Sequence, residues 1–234
     1  MSFFCSLYHL ILDTLFPLFD AENELFSLSP EEAYARLPKS PALPLECRKM
    51  FSILAYKDER VSKMIWNIKY KKSARAVEMG GYILFSYLNE KLSPHLNKNA
   101  EDKTQKIVLI PMPITGKRRR ERGFNQTELL VNEIGRLDTG RKYEIVSDLL
   151  VRTVHKDRQT LKGRTERLES AQGLFELNEN RLARLSGAHG SDQLTGRVVI
   201  IVDDVITTGS TMKTALETFR ERNFHNVYGL SLAH

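Results

Sequence analysis

The sequence predicts an α/β fold: a mostly parallel sheet flanked by helices, with a small N-terminal appendage. Two observations carry this. Residues 107–110 and 198–202 are short, continuous apolar runs of the kind buried parallel strands require, and between such runs lie apolar stripes at helical spacing. Strands alternating with helices imply parallel pairing through right-handed crossovers. At 234 residues the chain is long enough for one sizeable core plus an appendage, without disulfide or metal staples.

Residues 1–50 form the appendage and residues 51–234 the main domain. Leu7, Leu10, Ile11, Leu15 and Leu18 recur at helical spacing, so the apolar start reads as an amphipathic docking helix. His9 and Asp13 interrupt it, which argues against a membrane segment or signal peptide. An acidic stretch dotted by Pro30, Pro38, Pro41 and Pro44 follows and is expected to be loosely structured. Residues 51–56 read as a strand. Val61, Met64, Ile65 and Ile68 form one helical stripe, and Ala76, Met79, Ile83, Leu84, Tyr87 and Leu88 form another. Trp66, on the first of these helices, is expected in the core or at an interface.

Residues 93–106 are polar and read as a surface loop before the strand at 107–110, which Pro111 and Pro113 end. Asn125 followed by Glu128 resembles a capping box, with Leu130, Ile134 and Leu137 continuing the helix, so 111–124 reads as a loop. Residues 143–150 suggest a strand. Residues 154–172 are charged and suggest a mobile loop or lid, 174–177 a strand, and 179–196 a polar insertion. Met212, Ala215, Leu216 and Phe219 mark a helix after the strand at 198–202, and 227–232 gives the last strand.

Composition narrows the function classes only a little. A hydrophobic fraction of 41% and a charged fraction of 27% exclude a largely disordered chain. Cys5 and Cys47 provide neither a metal knuckle nor a disulfide framework, so a reducing cytoplasm is the expected compartment and no membrane partner is expected. The net charge of +6 suits phosphates, nucleic acid or plain solubility, and its densest run is Lys117-Arg118-Arg119-Arg120-Glu121-Arg122.

The strongest chemical signal is Val199-Ile-Ile-Val-Asp203-Asp204-Val205-Ile-Thr207-Thr208-Gly209-Ser210-Thr211. A buried strand would carry Asp203 and Asp204 to its C-terminal end, where open α/β sheets bind ligands. There the carboxylates suit the two hydroxyls of a ribose, through charge-assisted hydrogen bonds worth roughly 1.5 to 3 kcal/mol each. Gly209 permits close backbone approach, and Thr207, Thr208, Ser210 and Thr211 offer donors at a helix N-terminus, an anion seat. Taken alone, two aspartates after an apolar strand also describe a strand that simply reaches the surface. A Walker B strand would need a GxxxxGK[ST] loop, and none is present; nor is there a GxGxxG turn.

As a whole the thirteen positions resemble the phosphoribosyl pyrophosphate motif of type I phosphoribosyltransferases. Ile110-Pro-Met-Pro113, then Arg118, then Arg122-Gly-Phe-Asn-Gln126 is similar to the strand, loop and helix signature of the ComF-like branch. The resemblance implies a type I phosphoribosyltransferase fold and Mg²⁺-dependent transfer of a 5-phosphoribosyl group with release of pyrophosphate. It makes Asp203 and Asp204 the catalytic and ribose-binding pair, adds Val205, Thr207, Thr208, Gly209, Ser210 and Thr211 to the ribose and 5-phosphate site, and assigns pyrophosphate to Thr115, Lys117, Arg118 and Arg122. Magnesium would be held chiefly by substrate and water, with no protein metal site.

Residues 152–175 resemble the family's mobile-loop region through Gln159, Arg167, Gly173 and Phe175, although Ser170 stands where the family usually has asparagine. Lys156, Arg158 and Lys162 are candidates to close over departing pyrophosphate. The paired-cysteine zinc module of many relatives is lost here, so the N-terminal region reads as a degenerate version of it. Two other classes stay open: a non-catalytic phosphoribosyl pyrophosphate sensor, and a competence or DNA-uptake accessory protein whose 117–122 run binds single-stranded DNA. The acceptor is not legible, and a homodimer is compatible with the sequence.

Overall fold

The computed structural model describes residues 19–41, 43, 49–96, 106–153, 174–186 and 197–234. The expected N-terminal helix at 7–18, Cys5 and Cys47, the loop residues Lys156, Arg158, Gln159, Lys162, Arg167, Ser170 and Gly173, and the second half of the polar insertion lie outside the described residues.

Five strands form one parallel sheet: β1 (Met50–Leu54), β2 (Ile107–Pro111), β3 (Tyr143–Ile145), β6 (Val199–Val205) and β7 (Val227–Ala233), in the order β1-β7-β6-β2-β3. Alternation along the two central strands sorts their side chains into two layers. Ile107, Leu109, Ile200 and Val202 face one core, with Leu230 and Leu232 of β7. Val108, Ile110, Val199 and Ile201 face the other. Residues 107–111 are buried throughout, which is why this strand reads as a continuous apolar run.

The first layer holds α3 (Glu59–Trp66), α4 (Ala74–Tyr87) and α6 (Gln126–Leu137). Asp58 caps α3 by accepting from the Arg60 and Val61 N–H groups, and Ser73 caps α4 by accepting from Ala76 N–H. Helix α3 runs on into a π-helical turn, Asn67–Lys71, which Lys72 ends in a left-handed conformation at φ 50°. The second layer holds α8 (Ser210–Arg220) and an antiparallel hairpin of β4 (Leu150–Arg152) and β5 (Phe175–Leu177).

Five expectations need correction. The first part of the proline-dotted stretch is not loose: residues 19–37 form α1 (Phe19–Ser27) and α2 (Pro30–Arg36), and Leu25, Leu28, Ala33 and Leu37 join the same core as the sheet. A full capping box at Ser29 and Glu32 starts α2, with Pro30 at the first helical position. Residues 93–96 continue the helix rather than opening a loop, because the Ser93 hydroxyl is buried against Tyr143 Oη at 3.0 Å. Within 111–124 lies α5 (Gly116–Arg122), capped by Thr115 and closed by Gly123 at φ 79°. Residues 143–150 split into β3 and the start of β4, which belong to different sheets. Residues 179–186 form α7 (Glu179–Ser186), anchored by Leu182. Among the described residues no helix is long and apolar enough to cross a membrane.

Candidate active site

Strand β2 connects outward to β3 on one side, and β6 connects to β7 on the other. Their C-terminal ends are therefore the switch point at which neighbouring loops diverge, the place where open α/β sheets form a ligand crevice. A cleft of about 390 Å³ opens there. It is lined by the ends of β2 and β6, the loop after each, the π-helical turn, Arg118 and Arg122 of α5, Gln126 of α6 and Arg152 of β4.

The loop after β6 brings Thr207, Thr208, Gly209, Ser210 and Thr211 to the cleft. Gly209 sits at φ 78° and caps α8. A left-handed residue here turns the chain sharply enough for the first N–H groups of α8, which have no carbonyl one turn back, to face the cleft. Thr208 Oγ1 and Ser210 Oγ are 3.1 Å apart, and Ser210 N–H donates to Thr208 Oγ1 at 3.4 Å, so the hydroxyls already cluster around that end. Met212 is buried behind the loop and rests against Gly229 of β7, where a Cβ would come within 2.6 Å of its Cγ. The loop thus stands on a close helix–strand contact.

The two carboxylates are not equivalent. Asp203 Oδ1 accepts from Asp204 N–H at 2.8 Å, and Asp204 Oδ1 accepts from Val205 N–H at 2.8 Å. Asp204 is 4% exposed; its Oδ2 is buried without a hydrogen bond and faces Lys69 Nζ at 3.1 Å. Burial pushes the Asp203 carboxyl well above its ordinary range, the adjacent Asp204 pushes it further, and Lys69 draws it partly back.

On the opposite wall, Asn125 and Thr127 hold the loop after β2. Asn125 Nδ2 donates to the Met112 carbonyl at 3.1 Å and Thr127 Oγ1 donates to the same oxygen at 2.8 Å. Asn125 Oδ1 caps α6 through Thr127 N–H, while Glu128 pairs with Arg119 instead of closing a box, so the expected capping box forms only in part. Arg122 donates to Gln126 Oε1 at 3.0 Å and lies over the Tyr70 ring, 5.0 Å from its centroid.

Of the four residues assigned to pyrophosphate, Arg118 and Arg122 line the cleft. Thr115 does not; its hydroxyl oxygen accepts from Arg118 N–H and starts α5. Lys117 points outward, its side chain 81% exposed and 3.9 Å from Glu121. Asp203, Asp204, Val205 and the five residues from Thr207 to Thr211 all line the cleft.

The sequence motifs do not include several residues that line the cleft, chief among them Lys69, Tyr70 and Arg152. Lys69 and Tyr70 come from the π-helical turn, beside the buried Ile68, so a signal existed in their position at the edge of the apolar stripe. Arg152 shares a strand face with buried Leu150, which marks it as inward-facing. Burial and the nearby Arg118 charge disfavour the Arg152 cation, and Asp203 favours it. Trp66, expected in the core or at an interface, is 39% exposed and packs against Tyr70 at 5.8 Å. Among the described residues no group of three or more His, Cys, Asp or Glu side chains converges, so the anionic donors of the cleft are Asp203 and Asp204.

Residues 76–228 match the family model described as phosphoribosyl transferase domain. The competence protein ComFC of Bacillus subtilis (strain 168) is 30% identical over 116 residues, 50% of this chain and 39% of that protein. The chain therefore spans well under two thirds of that relative's length. Because the family match covers well over half of the sequence and takes in both loops that wall the cleft, the chain belongs to the phosphoribosyl transferase domain family and is ComF-like within it.

Proposed function

We propose that this cleft binds phosphoribosyl pyrophosphate and transfers its 5-phosphoribosyl group to an acceptor, releasing pyrophosphate. The observation that carries the reading is one of placement: β6 ends in an aspartate pair directly beside the N-terminus of α8 and its hydroxyl-bearing loop. A ribose with a phosphate on its 5-carbon needs a carboxylate and an anion seat at that short separation. The backbone N–H groups and hydroxyls of the 207–211 loop would seat the 5-phosphate. Arg118, Arg122 and Arg152 would stabilise the pyrophosphate as it leaves, guanidinium forks matching its oxygens. Asp203 would accept from the ribose hydroxyls and place negative charge near the developing ribosyl cation.

A cation carried in on the substrate's own oxygens and water needs no protein ligand set, which suits a cleft where, among the described residues, no group of three or more His, Cys, Asp or Glu side chains converges. Magnesium in that role would neutralise pyrophosphate charge. Calorimetry with phosphoribosyl pyrophosphate and Mg²⁺ tests binding, and pyrophosphate release over time separates a transferase from a sensor. No binding by the wild-type chain would refute the reading.

A second reading, single-stranded DNA binding, has one observation in its favour. Trp66 and Tyr70 stand exposed beside the cleft among cations: Lys71 Nζ lies 4.9 Å and Lys63 Nζ 5.9 Å from the Trp66 ring, and Lys72 Nζ lies 5.6 Å from Phe124. Aromatic faces interleaved with cations are how sequence-independent strand binding is built. Arg119, placed earlier among the DNA candidates, is engaged by Glu128. Binding that weakens steeply with salt and is lost on Trp66→Ala would support this reading; salt-independent or absent binding would reject it.

A further inference from the structure

Lys69 belongs to no motif recognised in the sequence, lies 134 positions before the aspartate pair in a helix of the first layer, and nevertheless reaches the site. The turn that carries it is built for the purpose. Asn67, buried at its start, donates from Nδ2 to Glu22 Oε1 at 3.1 Å and to the Lys63 carbonyl at 3.0 Å. The Asn67 carbonyl in turn accepts from the N–H groups of Lys72 and Ser73, so both ends of the turn are tied to one residue. Buried Ile68 pins its middle to the core. A π-helical turn widens the helix by one residue and redirects the side chains after it, and such turns recur at functional sites.

The target is a carboxylate with one oxygen already used. Asp204 Oδ1 is taken by Val205 N–H, and Oδ2, buried and without a hydrogen bond, faces the Lys69 ammonium at 3.1 Å. Asp204 so held is poorly placed to receive a sugar hydroxyl as well.

We propose that Lys69 is a positioning residue of the ribose subsite: its ammonium, 3.1 Å from Asp204 Oδ2, holds the inner Asp204 side chain turned into the protein, leaving Asp203 as the group that receives the sugar. This rests on the reading of the cleft given above and deepens it, dividing labour between two carboxylates that the motif treats as a pair. The charges facing them are Lys69 from the π-helical turn, Arg152 from β4, and Arg118 and Arg122 from α5 across the cleft; Tyr56 and Tyr70 complete the titratable lining. His234, beyond β7, is bonded through Nδ1 to the Ile206 carbonyl. Without Lys69, the charge that draws the Asp203 carboxyl partly back down is gone, and Asp203 would keep its proton to a higher pH.

The test compares wild type, Lys69→Met and Lys69→Arg, all as the full chain, by two readouts. Carboxyl NMR titration of aspartate-labelled protein without ligand reads the pair directly. The Met variant is expected to retain the Asp203 proton to higher pH, and the Arg variant to titrate like wild type. Calorimetry with phosphoribosyl pyrophosphate and Mg²⁺ between pH 6 and 9 is expected to show about tenfold or greater weakening in the Met variant near neutrality, shrinking as pH rises, with rescue by Arg. An unchanged carboxyl titration in the Met variant overturns the proposal, as does a binding loss equal at every pH and not rescued by Arg. If wild type binds no ligand, the phosphoribosyl reading falls by that result alone, while the ligand-free titration still decides whether Lys69 governs the pair. Thermal unfolding of all three proteins identifies a Met variant that has merely lost its fold.

Discussion

Replacing Gly209 by alanine tests the phosphate loop through its backbone. Gly209 sits at φ 78°, in the region that L-residues avoid because Cβ approaches the following carbonyl, at a cost of about 1 to 2 kcal/mol. The substitution leaves the chain two responses. If α8 and the β6 end hold the loop in place, the strain remains and stability falls by that amount, which for a domain of this size lowers Tm by about 2 to 8 °C. If the loop relaxes to negative φ, the strain is released, but the N–H groups at the start of α8 and the Thr208–Ser210 hydroxyl cluster turn away from the anion seat. Affinity for the 5-phosphate then falls, by about tenfold for a loss near 1.4 kcal/mol. Differential scanning calorimetry and ligand calorimetry on one preparation read both responses. A variant with Tm within about 1 °C of wild type and ligand affinity within about twofold would refute the claim that this left-handed turn builds the site.

Other outcomes follow from the same geometry. Asn125→Ala removes the α6 cap and one of the two donors to the Met112 carbonyl, so about 2 kcal/mol of stability should go, seen in urea unfolding as a lower midpoint at constant m-value. Asp203→Asn should be more stable than wild type at neutral pH. A carboxyl whose folded pKa is raised favours the folded state below its ordinary value of 3.8, and that contribution is lost as pH climbs through the raised folded pKa. The advantage of the Asn variant should therefore vanish below about pH 4, and thermal melts from pH 3.5 to 8 would show it. Arg152→Gln should weaken inhibition by pyrophosphate about tenfold while leaving the fold intact, as a competition titration would record. Trp66→Ala should leave phosphoribosyl pyrophosphate binding unchanged, since Trp66 packs outside the cleft lining.

How much of this was legible depended on whether apolar periodicity marked a segment. Residues 107–111 and 199–205 are buried, and their continuous Val and Ile runs announced the central strands. Helix α5 was not legible that way: it buries none of its residues, and its only signals are the Thr115 cap and Gly123 after its end. The stretch at 19–37 reads as loose next to Pro38, Pro41 and Pro44, yet its one proline, Pro30, sits at the first position of α2, where a missing N–H costs nothing.

The site shows the same division. The 199–211 motif is local in sequence, so its residues could be read together. Lys69 and Arg152 enter from distant elements, and only the packing of α3 and its π-helical turn and of the β4–β5 pair against α8 brings them to the cleft. The motif also concealed an asymmetry: Asp203 and Asp204 are adjacent letters, but strand alternation and the backbone bonds at Asp204 N–H and Val205 N–H give them different neighbours.

The most direct measurement of the central claim is calorimetric titration of phosphoribosyl pyrophosphate with Mg²⁺ into wild type and Asp203→Asn. Saturable binding by wild type, weakened about tenfold or more in the variant, is the expected result for a carboxylate that accepts charge-assisted bonds from the ribose. Equal binding by the two proteins would contradict it.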